Sequence, residues 1–136
     1  MDPDRAREFL RSHHRTVLAT RRADGMPQLS PVLAAIDAQG RALISSREAA
    51  IKTRNLRRDS QASLCVISDS FFGDWVQLDG TAEVTSLPAA MELLVDYYRS
   101  IAGEHPDWAD YRAAMERDKR VIIRVTITRA GPDISG

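Results

Sequence analysis

A mainly β fold with flanking helices, built from about six antiparallel strands closed into a small barrel, is the architecture this 136-residue sequence predicts. Three observations carry the expectation. Residues 75–85 alternate well, with Val76, Leu78, Gly80, Ala82 and Val84 on one side, and residues 121–128 set Val121, Ile123, Val125 and Ile127 against Ile122, Arg124, Thr126 and Thr128, the period-two signature of strands. Asp24-Gly25 lies between two such segments and marks a hairpin, because Gly accepts the positive φ that tight hairpin turns require. Gly80 falls in the middle of a long strand, where barrels place a bulge or sharp bend.

The elements follow in order. Ala6, Phe9 and Leu10 fall at i, i+3 and i+4, so residues 3–12 form an amphipathic helix. Thr16–Thr20 is the first strand. The second runs over 28–36, and Pro27 and Pro31 cannot donate ladder hydrogen bonds. That strand is therefore at an edge or interrupted. Gln39-Gly40 turns the chain into a third strand at 42–45. Ser45 and Ser46 can cap a helix reaching Arg58, with Glu48 three residues after Ser45 as in a capping box. A strand at 62–68, a Gly-containing loop at 71–74 and the strand at 75–85 come next. Ser86 and Pro88 open a helix with Met91, Leu94, Val95, Tyr98 and Ile101 on its apolar face. Residues 103–106 break it, and Trp108, Tyr111 and Met115 mark another helix. The last strand covers 121–128, and 130–133 is loop. No repeat or linker divides the chain, so residues 1–136 make one domain.

Composition excludes several classes. Nineteen basic residues balance nineteen acidic ones, so no overall field favours nucleic acid. No apolar run reaches membrane-spanning length, and the N-terminus lacks a signal-peptide pattern. These features make a cytoplasmic protein with neither a membrane nor a nucleic-acid partner the expectation. The single Cys65, set in a strand, is a small buried apolar residue rather than a nucleophile. His13, His14 and His105 have no metal-ligand spacing to any Cys or carboxylate, so no metal site is expected. Phosphate loops, dinucleotide fingerprints and nucleophile elbows are all missing. A reaction here would draw its chemistry from a bound cofactor.

The local exception to neutrality is Lys52-Thr53-Arg54-Asn55-Leu56-Arg57-Arg58, which holds one of only two lysines against seventeen arginines. A dense positive patch on a neutral chain suits an anion, although a solvated basic helix face has the same composition. Lys52 and Asn55 stand at i, i+3 and share a helix face. Gln28 and Ser30 share a strand face with Val32 and could hydrogen-bond a ring carbonyl or a phosphate. Trp75 suits ring stacking, a subunit contact or plain core packing.

Several segments together resemble one family. Thr20 through Val32 resembles the opening hairpin of the pyridoxamine-phosphate-oxidase-like split β-barrel superfamily. Lys52 through Asp59 is similar to the cofactor-phosphate helix of its deazaflavin branch, the small coenzyme F420-dependent oxidoreductases known mainly from actinobacteria. Ile101 through Trp108, with Tyr111 to Met115, resembles a late segment of that branch. The resemblance implies a homodimer of split barrels with a cofactor in each of two clefts at the subunit interface. It places Lys52 and Asn55 near the cofactor phosphate, Ser45 and Ser46 at the helix start, Gln28 and Ser30 near the ring, and Trp75 in the partner's cleft. Relatives can carry a basic residue where this chain has Ala50, which leaves Arg47 or Arg54 to replace it. Arg57 and Arg58 are left to solvent or to the cofactor's acidic tail. The implied activity is hydride transfer from reduced F420 to a small unsaturated organic acceptor, with no side chain singled out as catalytic. Flavin mononucleotide (FMN) in the same cleft, and non-catalytic cofactor storage, are the alternatives.

Overall fold

The structure, a computed structural model, describes residues 1–133; the last three residues of the expected domain lie outside them. Six strands form a closed antiparallel barrel in the order β1-β2-β3-β6-β5-β4. They are β1 (Arg15–Arg21), β2 (Pro27–Ile36), β3 (Ala42–Arg47), β4 (Gln61–Ile67), β5 (Trp75–Ser86) and β6 (Arg120–Gly131). Four helices accompany them: α1 (Pro3–Ser12), α2 (Ile51–Arg58), α3 (Met91–Ala102) and α4 (Trp108–Arg117).

Alternation fills the barrel. Leu18, Ala34, Ile44, Leu64, Leu78, Ile123 and Val125 point inward and are fully buried, and Ala6 and Leu10 of α1 join the same core. The opposite face of β2, β3 and β6 is covered by the α3–α4 hairpin. There Ala35, Leu43 and Ile122 pack against Leu94, Val95 and Tyr111. β6 is thus buried on both faces along part of its length, which explains the near-continuous apolar run Val121-Ile122-Ile123. It also extends to Gly131 by pairing with Gln77 of β5, so residues 130 and 131 are strand and not loop.

Gly80 occupies a register shift between β5 and β6 at Asp79/Gly80, and a Cβ there would lie 2.1 Å from the Thr126 carbonyl oxygen. The β1–β2 turn is closed by the Gly25 N–H donating to the Arg22 carbonyl at 2.9 Å, with Gly25 at φ +87°.

β2 explains its own prolines. It pairs with β1 along its whole length but with β3 only from Ala34 to Ile36. From Pro27 to Leu33 the edge facing β3 has no strand partner, so the missing N–H of Pro31 costs no ladder bond there. The barrel is therefore split between this stretch of β2 and the end of β3, with α2 beside the opening.

The helix expected from Ser45 needs correction. Ser45 and Ser46 belong to β3, paired with Ile122 and Val121 of β6, and α2 starts six residues later with Ala50 as its N-cap and no side-chain cap bond. Tertiary pairing with β6 overrode the local capping signal. Glu48 does not serve a capping box; it binds Arg57 and accepts from Ser86 Oγ at 2.8 Å.

Candidate functional site

Where β2 and β3 diverge, the Tyr97 hydroxyl of α3 fills the fork. It donates to the Leu33 carbonyl of β2 at 2.7 Å, and the Ser45 backbone amide of β3 faces the same oxygen. Burial pushes the phenol's pKa up, so it stays a neutral donor. One side chain thus bridges Leu33 and Ser45 at the point where the ladder ends. Tyr97→Phe should leave the Leu33 carbonyl short of a partner and cost about 1–2 kcal/mol, read from urea denaturation of the full chain.

Beside this fork three cations converge. Arg47 and Arg120 stand directly opposite each other on the β3–β6 ladder and therefore share a face with Ser45. Like charges in that position repel. Lys52, in the first turn of α2, lies close enough to Arg120 to feel it. Burial, then the Arg120 charge, lowers its pKa below the ordinary 10.5. Among the described residues none of the three has a carboxylate within ion-pair distance. Arg120 Nε is moreover buried without a hydrogen-bond partner. Clustered cations without a counter-charge are costly unless an anion joins them.

The other predicted residues fall into a second group on the interior side. Asn55 is buried; its amide nitrogen donates to Thr20 Oγ1 at 3.1 Å, and Thr20 donates to Gln28 Oε1 at 3.3 Å. Ser46 Oγ lies 2.9 Å from Thr53 Oγ1, whose own proton goes to the Arg47 carbonyl at 2.7 Å. These bonds seat α2 over the barrel mouth and hold the Arg47–Ala50 connection in shape. Asn55 is thus engaged inside the protein, although it stands only three residues from Lys52. Ser30, on the unpaired stretch of β2, keeps a buried hydroxyl with no partner among the described residues.

Helix α2 assigns its arginines unequally. Arg54 is exposed. Arg57 binds Glu48 and donates to Ser86 Oγ at 2.9 Å. Arg58 bonds the Arg21 carbonyl and Asn55 Oδ1. Trp75 lies on the outer barrel face opposite Ile67, about one-third exposed. Leu29 and Leu33 of β2 are exposed on the same outer side of the barrel, and Phe71 and Phe72 of the β4–β5 loop are exposed as well, the latter at 95%. Cys65 belongs to the same face, and partial burial pushes its thiol pKa up, which suits a packing residue.

Tyr97 and Arg120 escape sequence reasoning. Tyr97 sits at the margin of the α3 apolar stripe and reads as packing. Arg120 looks like any other strand-end arginine, since only pairing with Arg47 makes it unusual. The histidines are occupied structurally: His13 Nδ1 lies 3.0 Å from the Phe9 carbonyl, His14 Nδ1 2.8 Å from the Ala34 carbonyl, and His105 Nδ1 accepts from the Asp107 N–H. Among the described residues no group of His, Cys, Asp and Glu could hold a metal, and no helix is long and apolar enough to cross a membrane.

A cavity of about 590 Å³ lies elsewhere, against β1, β4, β5 and β6 and the start of β2. Its central carboxylate, Asp79, is already satisfied by Ser63 at 2.7 Å, Gln77 at 3.1 Å and Arg129 at 2.8 Å, which together hold its pKa below the usual range despite burial. Unmet charge is concentrated at the Arg47–Lys52–Arg120 cluster instead, and that decides between the two.

Solved structures share the architecture. The conserved protein Rv2991 of Mycobacterium tuberculosis superposes with a TM-score of 0.78 at 24% identity, covering 100% of this chain and 92% of that one. An F420 reductase superposes at 0.70 with 22% identity, covering 91% and 94%. A heme binding protein from Mycobacterium smegmatis superposes at 0.68 with 21% identity, covering 92% of this chain and 52% of the other. At such identities these likenesses speak for the fold alone. The sequence itself goes further: residues 2–131 match the family profile described as pyridoxamine 5'-phosphate oxidase, and with its six-stranded split barrel the chain belongs to that family.

Proposed function

We propose that this protein is an oxidoreductase that uses coenzyme F420, passing a hydride from the reduced deazaflavin to a small unsaturated organic acceptor. The observation that carries it is the convergence of Arg47, Lys52 and Arg120 beside the barrel split, with no carboxylate of the described residues within ion-pair distance of any of them. The donor set suits a phosphate: two guanidiniums and an ammonium offer charge-assisted hydrogen bonds in several directions. Ser45 presents its hydroxyl on the same face, and the unpartnered Ser30 hydroxyl lies on the open stretch of β2 where a ring carbonyl could meet it.

Bound there, the deazaflavin would supply the hydride chemistry for which the chain has no machinery of its own. The protein's work is to bind, to orient and to exclude water. Lys52, Arg47 and Arg120 anchor the phosphate, and Tyr97 keeps the fork at its width. Proximity of the acceptor then accounts for most of the rate.

The site is best completed by a second copy of the chain. Leu29, Leu33 and Trp75 are 62%, 45% and 37% exposed on one continuous outer face, the kind of patch that marks an interface. Sedimentation of a monomer at micromolar concentration would remove this part of the reading.

The deciding experiment is a fluorescence titration of the purified protein with F420 and FMN side by side. Quenching or a shift of F420 emission, with turnover of an enone or quinone panel, supports the proposal. Binding of FMN alone would move the protein to the flavin alternative. Tight F420 binding without turnover on any acceptor would make it a carrier.

A further inference from the structure

We infer that Thr53 is a positioning residue for phosphate binding: its buried hydroxyl holds Arg47 beside Lys52 against the mutual repulsion of the cations. It acts through Arg47 and not by touching the ligand. The inference rests on the anion-site reading above and names the residue that preorganises that site.

The Arg47 carbonyl is the fixed point. It accepts from Thr53 Oγ1 at 2.7 Å and from the Ala50 N–H at 3.1 Å. The Thr53 proton is committed to that carbonyl, so Ser46 is the donor in its 2.9 Å contact with Thr53 Oγ1. Both hydroxyl-bearing residues are buried. A relay closed to water therefore runs from Ser46 through Thr53 to Arg47. It joins the last residues of β3 to the first turn of α2.

The charges explain why a restraint is needed. Arg47 faces Arg120 across the β3–β6 ladder, and Arg120 is near enough to Lys52 to lower its pKa. Like charges at cross-strand distance push apart. β3 ends at Arg47, so fraying there would let the guanidinium swing away from Lys52. Thr53 directly follows Lys52 in α2, and its bond to the Arg47 carbonyl ties the two cations together through their backbones. A site already held in its binding geometry gives up less freedom when the ligand arrives. Glu48 reinforces the same connection from outside, binding Arg57 and accepting from Ser86 Oγ. Those contacts are exposed and screened by solvent, so the buried relay carries the restraint.

The test is a fluorescence titration of the full chain with F420 and with the same deazaflavin lacking its phosphate, repeated with FMN and riboflavin. Thr53→Val keeps the side chain's shape and removes the hydroxyl, whereas Thr53→Ser keeps the hydroxyl. Thr53→Val should weaken the phosphate-bearing cofactor about three- to tenfold, the size of one hydrogen bond, and leave the phosphate-free form unchanged. Thr53→Ser should bind both forms as wild type does. In turnover, Thr53→Val should raise KM for F420 at unchanged kcat. If Thr53→Val does not fold, Thr53→Ala removes the same hydroxyl and carries the same expectation. A role in folding alone would lower the melting midpoint and keep the ratio of the two affinities at its wild-type value, and that result overturns the inference. A preference for phosphate seen only with FMN, and lost in Thr53→Val, would keep the positioning role and remove the F420 reading. If wild type binds neither phosphate-bearing cofactor better than its phosphate-free form, the anion-site reading falls and the positioning role falls with it.

Discussion

Arg120→Gln is expected to cut affinity for the phosphate-bearing cofactor roughly ten- to hundredfold, the loss of about 1.5–3 kcal/mol that accompanies removal of a charge-assisted hydrogen bond. The same substitution should leave the unliganded protein's thermal midpoint unchanged or slightly higher. The opposite signs follow from one geometry. Without an anion, Arg120 faces Arg47 across the ladder and crowds Lys52, and both contacts are repulsive. With an anion bound, the three cations share one counter-charge. Titration calorimetry and a melting curve on the same variant read both halves. A variant that melts earlier and binds as well as wild type would show Arg120 to be a packing residue.

Alkaline pH should weaken the same binding. Burial and Arg120 lower the Lys52 pKa in the free protein, and a bound phosphate raises it back. Binding therefore takes up protons, and affinity is greatest when Lys52 is fully charged. It falls as pH rises through the lowered Lys52 pKa toward the ordinary 10.5. Lys52→Arg, which stays charged throughout, should flatten that profile.

Gly80→Ala should destabilise the fold by about 3 kcal/mol, at the upper end of what overpacking costs, because the added methyl meets backbone and not a mobile side chain. The Cβ would stand 2.1 Å from the Thr126 carbonyl oxygen and 2.9 Å from a Val125 methyl. Relief requires β5 and β6 to part at the bulge that bends the barrel closed. Urea denaturation with an unchanged slope and a lowered midpoint is the expected result, and a loss below about 0.5 kcal/mol would mean that these strands shift freely. A typical domain has about 5–15 kcal/mol in total, so this one methyl would remove a large share.

Barrel elements were legible where side chains repeat with the strand period. Val76, Leu78 and Ala82 alternate and do face the core, and Asp24-Gly25 does turn the first hairpin. Gly80 was readable as a bend because a strand interior gives Gly no other use. The start of α2 was misread at Ser45. Capping chemistry is local, whereas the pairing of Ser45 with Ile122 spans 77 residues of sequence. Tyr97 was invisible for the same reason: its value lies in a bond to Leu33, which nothing in the helical period announces.

By itself the sequence determined the strand count, the neutral overall charge and the one basic segment, since these depend on composition and short-range periodicity alone. The tertiary structure decided which of those basic groups are free. Folding spends Arg57 on Glu48 and Asn55 on Thr20, and sets Arg47 against Arg120 beside Lys52, with no acid among the described residues in ion-pair distance of the three. The physical reason is that a charge's availability depends on what lies within a few ångströms of it in space. In a closed barrel those neighbours come from strands far apart in the chain.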